Sequence, residues 1–298
     1  MEKFSGRAAD PVYDTVLVPF DGSQLAAGAM PTALALAARF GATVHTVTVA
    51  VSDFDLQRIR SEAARVLGTD PDDPRIHVDV DTDVAGAVQR RASALGSCLV
   101  CVSTRGRGRV AGTVIGSTAR DIIERGRAPV VVAGPFVVHP DPEDETARPP
   151  LAVDHLVACV DGTPLSERGL PAAAAWAHAL GMKLTIVTVA EPCPPPVRIG
   201  APWRRHHGPN EDADDYVRRL GEEWALDVPG LDTVVVYDPI SAAAGMKDYL
   251  AAHPTGLVAV TSHLRDRFPQ LVLGSVAADI VRTSPAPALV VPVRAGEA

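Results

Sequence analysis

Aromatic side chains are scarce in this sequence, at 4% of 298 residues, so small and β-branched side chains must fill most of any core. Ala and Val in that role suit helices packed on a parallel sheet. An apolar fraction of 47% is ample for such a core. Positive charge is also in short supply. A net charge of −8 argues against a broad nucleic-acid-binding face, while leaving room for a local cationic pocket that takes a phosphate. The opening MEKFSGRAAD has no apolar leader segment. No run of about 18 apolar residues occurs, so no membrane-spanning helix is expected. Four cysteines in this length do not make a disulfide scaffold. Cys98 and Cys101 form a CxxC, but it lies inside the apolar run CLVCV. A redox pair normally opens a helix, so these read as small buried side chains on a strand. The expected compartment is the cytoplasm, with neither nucleic acid nor membrane as a partner.

What is present is a repeat. TVLVPFDGS, from Thr15 to Ser23, matches HLVACVDGT, from His155 to Thr163. Each is an apolar run ending in Asp-Gly-Ser/Thr, followed by an Ala-rich helical stretch with an early proline, Pro31 or Pro171. Each helix then meets a glycine, Gly41 or Gly181, the usual C-terminal stop. A second strand follows at 42–50 and 182–190, and a third is expected near 76–80 and 233–237. Later strands fall at 97–103 and 256–261, and helices at 117–125 and 275–282. Each half closes on a proline-led strand, 129–133 or 287–293. Strands alternating with helices predict βαβ units and a parallel sheet of five strands per half. The acidic, proline-rich stretch 139–150 reads as a linker between domains 1–138 and 151–298. The second half also carries an insertion at roughly 192–214, which reads as a surface loop.

The segment Ser103-Thr104-Arg105-Gly106-Arg107-Gly108-Arg109, running on to Gly116-Ser117, follows a strand and precedes a helix. Its small residues let the backbone approach a ligand closely. Unbonded N–H groups at the start of the helix can hold an anion, aided by the helix dipole. Ser117 adds a hydroxyl, and Arg105, Arg107 and Arg109 concentrate positive charge in an otherwise acidic chain. Ligands of open α/β sheets sit beyond the carboxyl ends of the strands. Asp21, at the end of the first strand, falls there. It suits a ribose hydroxyl or a phosphate-bound metal, or it simply starts a turn.

That segment resembles the signature of the universal stress protein family: Gly, two residues, Gly, nine residues, then Gly-Ser/Thr. Gly106 is the second glycine, nine residues separate it from Gly116-Ser117, and Ser103 stands at the first glycine. Asp-Gly-Ser after the first strand, the second-strand valine and the closing Ala-Pro-Val-Val-Val are similar too. The resemblance runs over nearly the whole chain, twice. It implies two tandem Rossmann-like domains of the adenine nucleotide alpha hydrolase type, with strand order 3-2-1-4-5. It implies an ATP-binding regulatory or stress-response protein, with ATP bound alone or with magnesium. By the same resemblance Asp21 meets the ribose, Val49 meets adenine through its backbone, and Ser103, Gly106, Gly116 and Ser117 hold phosphates. The second half keeps Asp161, Val189, Gly274 and Ser275, but Thr261 and Leu264 replace the two loop glycines. Nucleotide is therefore expected mainly in the first half.

No sequence signature marks a catalyst. GxSxG, GxxxxGK[ST] and GxGxxG are all absent. His206-His207 and the scattered His45, His77, His155, His178 and His253 lack metal-ligand spacing, so no metal site is expected. Two alternatives stay open: a slow ATPase or nucleotidyl-transfer enzyme, and a scaffold or signalling module without nucleotide. Family members pair through their last strand, which implies that 129–133 and 287–293 pair within this chain as a pseudo-dimer, with a homodimer as a further assembly.

Overall fold

The computed structural model describes residues 8–50, 56–104, 115–126, 128–137, 151–190, 212–264 and 271–293. The expected linker and almost all of the second-half insertion lie outside these residues. The first half runs β1 (Thr15–Pro19), α1 (Gln24–Ala27), α2 (Met30–Phe40), β2 (Thr43–Ala50), α3 (Leu56–Leu67), β3 (Ile76–Val80), α4 (Val84–Ala94), β4 (Cys98–Ser103), α5 (Ser117–Arg125) and β5 (Val130–Ala133). The second half repeats it: β6 (His155–Cys159), α6 (Pro164–Glu167), α7 (Leu170–Ala179), β7 (Lys183–Ala190), α8 (Ala213–Trp224), β8 (Asp232–Tyr237), α9 (Ala242–Ala252) and β9 (Leu257–Leu264), then β10 (Leu271–Leu273), α10 (Ser275–Thr283) and β11 (Ala288–Val293).

The local reasons match the sequence pattern. Val16, Leu17 and Val18 are buried on both faces of β1, as a continuous apolar run in a parallel sheet requires. Pro31 sits in the first turn of α2, where a missing N–H costs nothing. Gly41 stops that helix at φ +68°, and Gly181 takes φ +64° after α7. Both are left-handed positions that glycine occupies without steric cost.

Each half has the strand order 3-2-1-4-5, but the two sheets are one. The path is β3-β2-β1-β4-β5-β11-β9-β6-β7-β8, with β10 added antiparallel to β9. The join is β5 against β11, antiparallel, with Leu289 opposite Val131. The expected parallel five-stranded sheet is present in each half, amended only by the extra strand β10. The pairing of the two closing strands is present as expected. Among the described residues, no helix is long and apolar enough to cross a membrane.

Helices cover both faces, and the two largest core clusters cross the seam. One cluster joins Val16, Leu36 and Val131 to Leu156, Trp176 and Leu289. The other joins Val100, Ile122 and Val132 to Val258, Ile280 and Val290. Several of the few aromatics are used here. Tyr13, Phe40 and Trp176 form a triad across the halves, with ring centroids 5.1, 5.6 and 5.3 Å apart. Beside it, Arg39 of α2 donates to the carbonyls of Leu180 (2.8 Å) and Leu151 (3.1 Å) and pairs with Asp154. Leu151 is held at φ +59°. Since the ion pair is largely exposed, the carbonyl bonds dominate. Replacing Arg39 with Ala should cost about 1–3 kcal/mol in a urea-unfolding measurement.

His45 and His77 were unremarkable in the sequence, but adjacent strands bring them together. The nitrogen contact is 2.9 Å, Nδ1 of His45 to Nε2 of His77. Thr43 Oγ1 reaches both the Asp14 carbonyl and His45 Nε2. If its hydroxyl proton goes to the carbonyl, His45 Nε2 donates to the threonine oxygen, and Nδ1 accepts from His77. Both rings are then neutral. Burial, the Arg91 guanidinium and His45 push His77 down to about 4; burial and Arg75 lower His45 as well. A folded-state value below the unfolded value of about 6.5 means the unfolded chain binds more protons between the two. Stability should therefore be complete above about pH 6.5 and fall progressively toward pH 4. Denaturation midpoints across that window test this, and a His77→Gln chain should show a flatter profile.

Candidate functional site

The first three pieces of the site lie beyond the carboxyl ends of β1, β2 and β4. Phe20 N–H donates to the Val47 carbonyl at 2.9 Å, the last rung between β1 and β2. On a strand, N–H and C=O groups reach the same side every second residue. The backbone groups of Val49 therefore face the space beyond the end of β1. On its other side β2 continues to pair with β3 up to Ala50, whose carbonyl accepts from Asp81 N–H at 2.9 Å. Val49 thus offers a backbone donor and acceptor to a crevice, the pattern that suits the edge of a purine. The second half repeats this at Val189, since Val160 N–H donates to the Val187 carbonyl at 2.9 Å.

Asp21 begins the connection from β1 to α1. Its Oδ1 accepts from Ser23 N–H at 3.0 Å, Gly22 turns at φ +81°, and Ser23 caps α1 through Ala26 N–H at 3.0 Å. The turn role considered from sequence is real. It does not compete with a ligand role, because an ionised carboxylate has about four acceptor positions. In the second half Asp161 accepts from both the N–H and the hydroxyl of Thr163, at 3.0 and 2.6 Å.

The anion-binding end is α5. Ser103 closes β4 opposite Ala133, and the next residue, Thr104, bonds the Ala133 carbonyl through its N–H at 3.0 Å. Gly116 N–H returns to the Thr104 carbonyl at 2.8 Å. That bond pins the start of α5 to the end of β4. Gly116 is the N-cap and brings no side-chain oxygen, and Ser117 is exposed. In contrast α1, α4, α6, α8 and α9 each carry a capping side chain. The first N–H groups of α5 are therefore not capped by the side chain before them. Thr104 was missed in the sequence reading. It is 2% exposed, and its hydroxyl has no partner among the described residues. Its only sequence signal was adjacency to Ser103. Arg105 and Gly106 lie outside the described residues, as do Arg107, Arg109 and His206-His207.

The corresponding stretch of the second half is built differently. β4 ends at Ser103, but β9 runs on through the equivalent Thr261 to Leu264. There it pairs with β11 on one side and with β10 on the other. Extended strand stands where the sequence pattern placed a loop. Gly274 and Ser275 still open α10, with no side-chain cap. Charge also differs. Glu167 of α6 stands where the first half has Ala27, and Arg219 reaches it at 3.2 Å. Burial and the nearby Glu167 and Asp161 carboxylates raise the pKa of Tyr216, which keeps its hydroxyl protonated.

Cys98 and Cys101 lie on β4. Burial pushes their thiols up to about 11 and about 12, so thiolate chemistry is suppressed. Among the described residues, no group of three or more His, Cys, Asp or Glu side chains could hold a metal ion.

The fold and the crevices define a tandem Rossmann-like α/β protein. Residues 152–292 match the model of the universal stress protein family. Universal stress proteins of Mycobacterium tuberculosis (H37Rv) and Mycobacterium bovis are 30% identical over 197 residues, covering 64% of this chain and 58% of theirs. The match thus spans less than two thirds of those relatives. A solved universal stress protein from Archaeoglobus fulgidus shares the fold over 94% of this chain and 98% of its own, at TM-score 0.64 and 16% identity. A functionally unknown Pseudomonas aeruginosa PAO1 protein does so over 94% and 93%, at TM-score 0.59 and 13% identity. Residues 152–292 are a universal stress protein domain, and the first half repeats the order of strands and helices of that domain.

Proposed function

We infer that this chain is an ATP-binding regulatory protein of the stress-response type, with nucleotide held in its first half. The observation that carries the reading is the start of α5, pinned at the carboxyl end of β4 with no side-chain cap. It opens on the edge where Val49 and Asp21 also end. An adenine nucleotide fits these three parts in sequence. Val49 would meet the base through its backbone, Asp21 the ribose, and Gly116, Ser117 and the first N–H groups of α5 the phosphates. The buried Thr104 hydroxyl lies at the root of the same connection. The sequence adds Ser103, Arg105 and Gly106 to this strand-to-helix segment. The second half keeps Asp161, Val189, Gly274 and Ser275, but its β9 stays extended to Leu264, which disfavours a loop closing on phosphates there. The proposed domains are 1–138 and 151–298, working as one unit in the cytoplasm.

Titration calorimetry of the purified chain with ATP, with and without magnesium, tests this directly. One site per chain is the expected result. Two equal sites would remove the distinction between the halves, and no heat together with no nucleotide in the denatured protein would leave a scaffold. Steady release of ADP that disappears in an Asp21→Asn chain would make it an enzyme instead.

A further inference from the structure

We propose that the β9–β10 hairpin of the second half braces α5, so that Leu273 is a positioning residue for the first half's anion-binding helix. The proposal rests on the nucleotide reading given above for its functional consequence, and on packing alone for the brace itself. α5 is nine residues long and buries Ala119, Ile122 and Ile123. That face belongs to the cluster that crosses the seam, and Leu273 packs against the same cluster from the second half. β10 lies directly against α5.

The register shows which end is held. In the seam Val290 lies opposite Val130, at the start of β5, and β11 continues to Val293 past that start. Val293 lies beside His263, and His263 beside Val272 of β10. The hairpin is therefore level with the stretch leading into β5, where α5 ends. The other end of α5 is tied by Gly116 to Thr104. A nine-residue helix fixed at both ends cannot slide or tilt, so its first N–H groups stay aimed at one point. The second half has exchanged the glycines of its own loop for strand, and the added strand supports its neighbour's site. By linkage, what β10 contributes to α5 must be returned when an anion binds there.

Hydrogen exchange on the nucleotide-free full chain, read over residues 117–125, tests the brace. Leu273→Ala should speed exchange there by about tenfold, within the range for coupled sites. Leu273→Ile should restore it, and Val234→Ala, on the far strand β8, should leave it unchanged. ATP titration of the same chains should show about tenfold weaker binding for Leu273→Ala only. Wild-type exchange over 117–125 in Leu273→Ala overturns the brace, as does equal slackening in Val234→Ala. ATP affinity unchanged while exchange rises overturns the positioning role. A wild-type chain that binds no ATP defeats the functional reading, and the exchange result still decides the brace.

Discussion

A Ser117→Glu chain should fold as well as the wild type and bind ATP about a hundredfold more weakly, a loss of about 2.7 kcal/mol. Ser117 is exposed at the first position of α5. A carboxylate there favours the helix, since negative charge in the first turn contributes about 0.3–1 kcal/mol. The same carboxylate would face the nucleotide's phosphates, and juxtaposed like charges cost several kcal/mol. Thermal unfolding and ATP titration therefore move in opposite directions, which a merely damaged protein cannot do. Ser275→Glu, the equivalent change at α10, should leave affinity and stoichiometry untouched. Loss of binding in Ser275→Glu with retention in Ser117→Glu would place the nucleotide in the wrong half.

The second large effect is expected at the seam. Val131 and Leu289 face each other across it, each with 0% exposure. Val131→Asp puts a carboxylate where there is neither water nor a partner, so it must be protonated or the strands must part. A loss of at least about 3 kcal/mol is expected, comparable to the largest single-site core effects. The two largest core clusters run through the seam, so the wild type should unfold in a single calorimetric transition. The Val131→Asp chain should show two, one for each half. A wild type that already melts in two steps would mean that the shared cores do not couple the halves.

Much of this architecture was legible from residues alone. The third strand, Ile76–Val80, and the helix Ser117–Arg125 fall where the pattern placed them. Those elements are set by local signals: β-branched runs, glycine stops and a helix opened by Gly-Ser. What escaped depends on distant partners. β10 is three residues long and exists only because β9 offers it a ladder. Leu264, read from sequence as an obstacle in a phosphate loop, lies in continuing strand instead, and no single-residue propensity specifies that choice. His45 and His77 are 32 positions apart, and only the pairing of β2 with β3 makes them neighbours. At the candidate site, Asp21 and Gly116 were singled out by residue type and position, and Val49 through the family resemblance. Thr104 was not, because a buried unpaired hydroxyl is a property of surroundings rather than sequence.

The direction of the strands at the join of β5 and β11 has one more effect. Because they run head to tail, every parallel strand of one half points away from those of the other. The two crevices consequently open on opposite rims of the molecule. A protein docking along one rim meets the proposed ATP mouth and the blunt strand starts of the second half, and never both mouths at once. Any receptor that reports nucleotide occupancy thus has one productive approach, and the molecule, though built from a duplication, presents itself to its surroundings as one-sided.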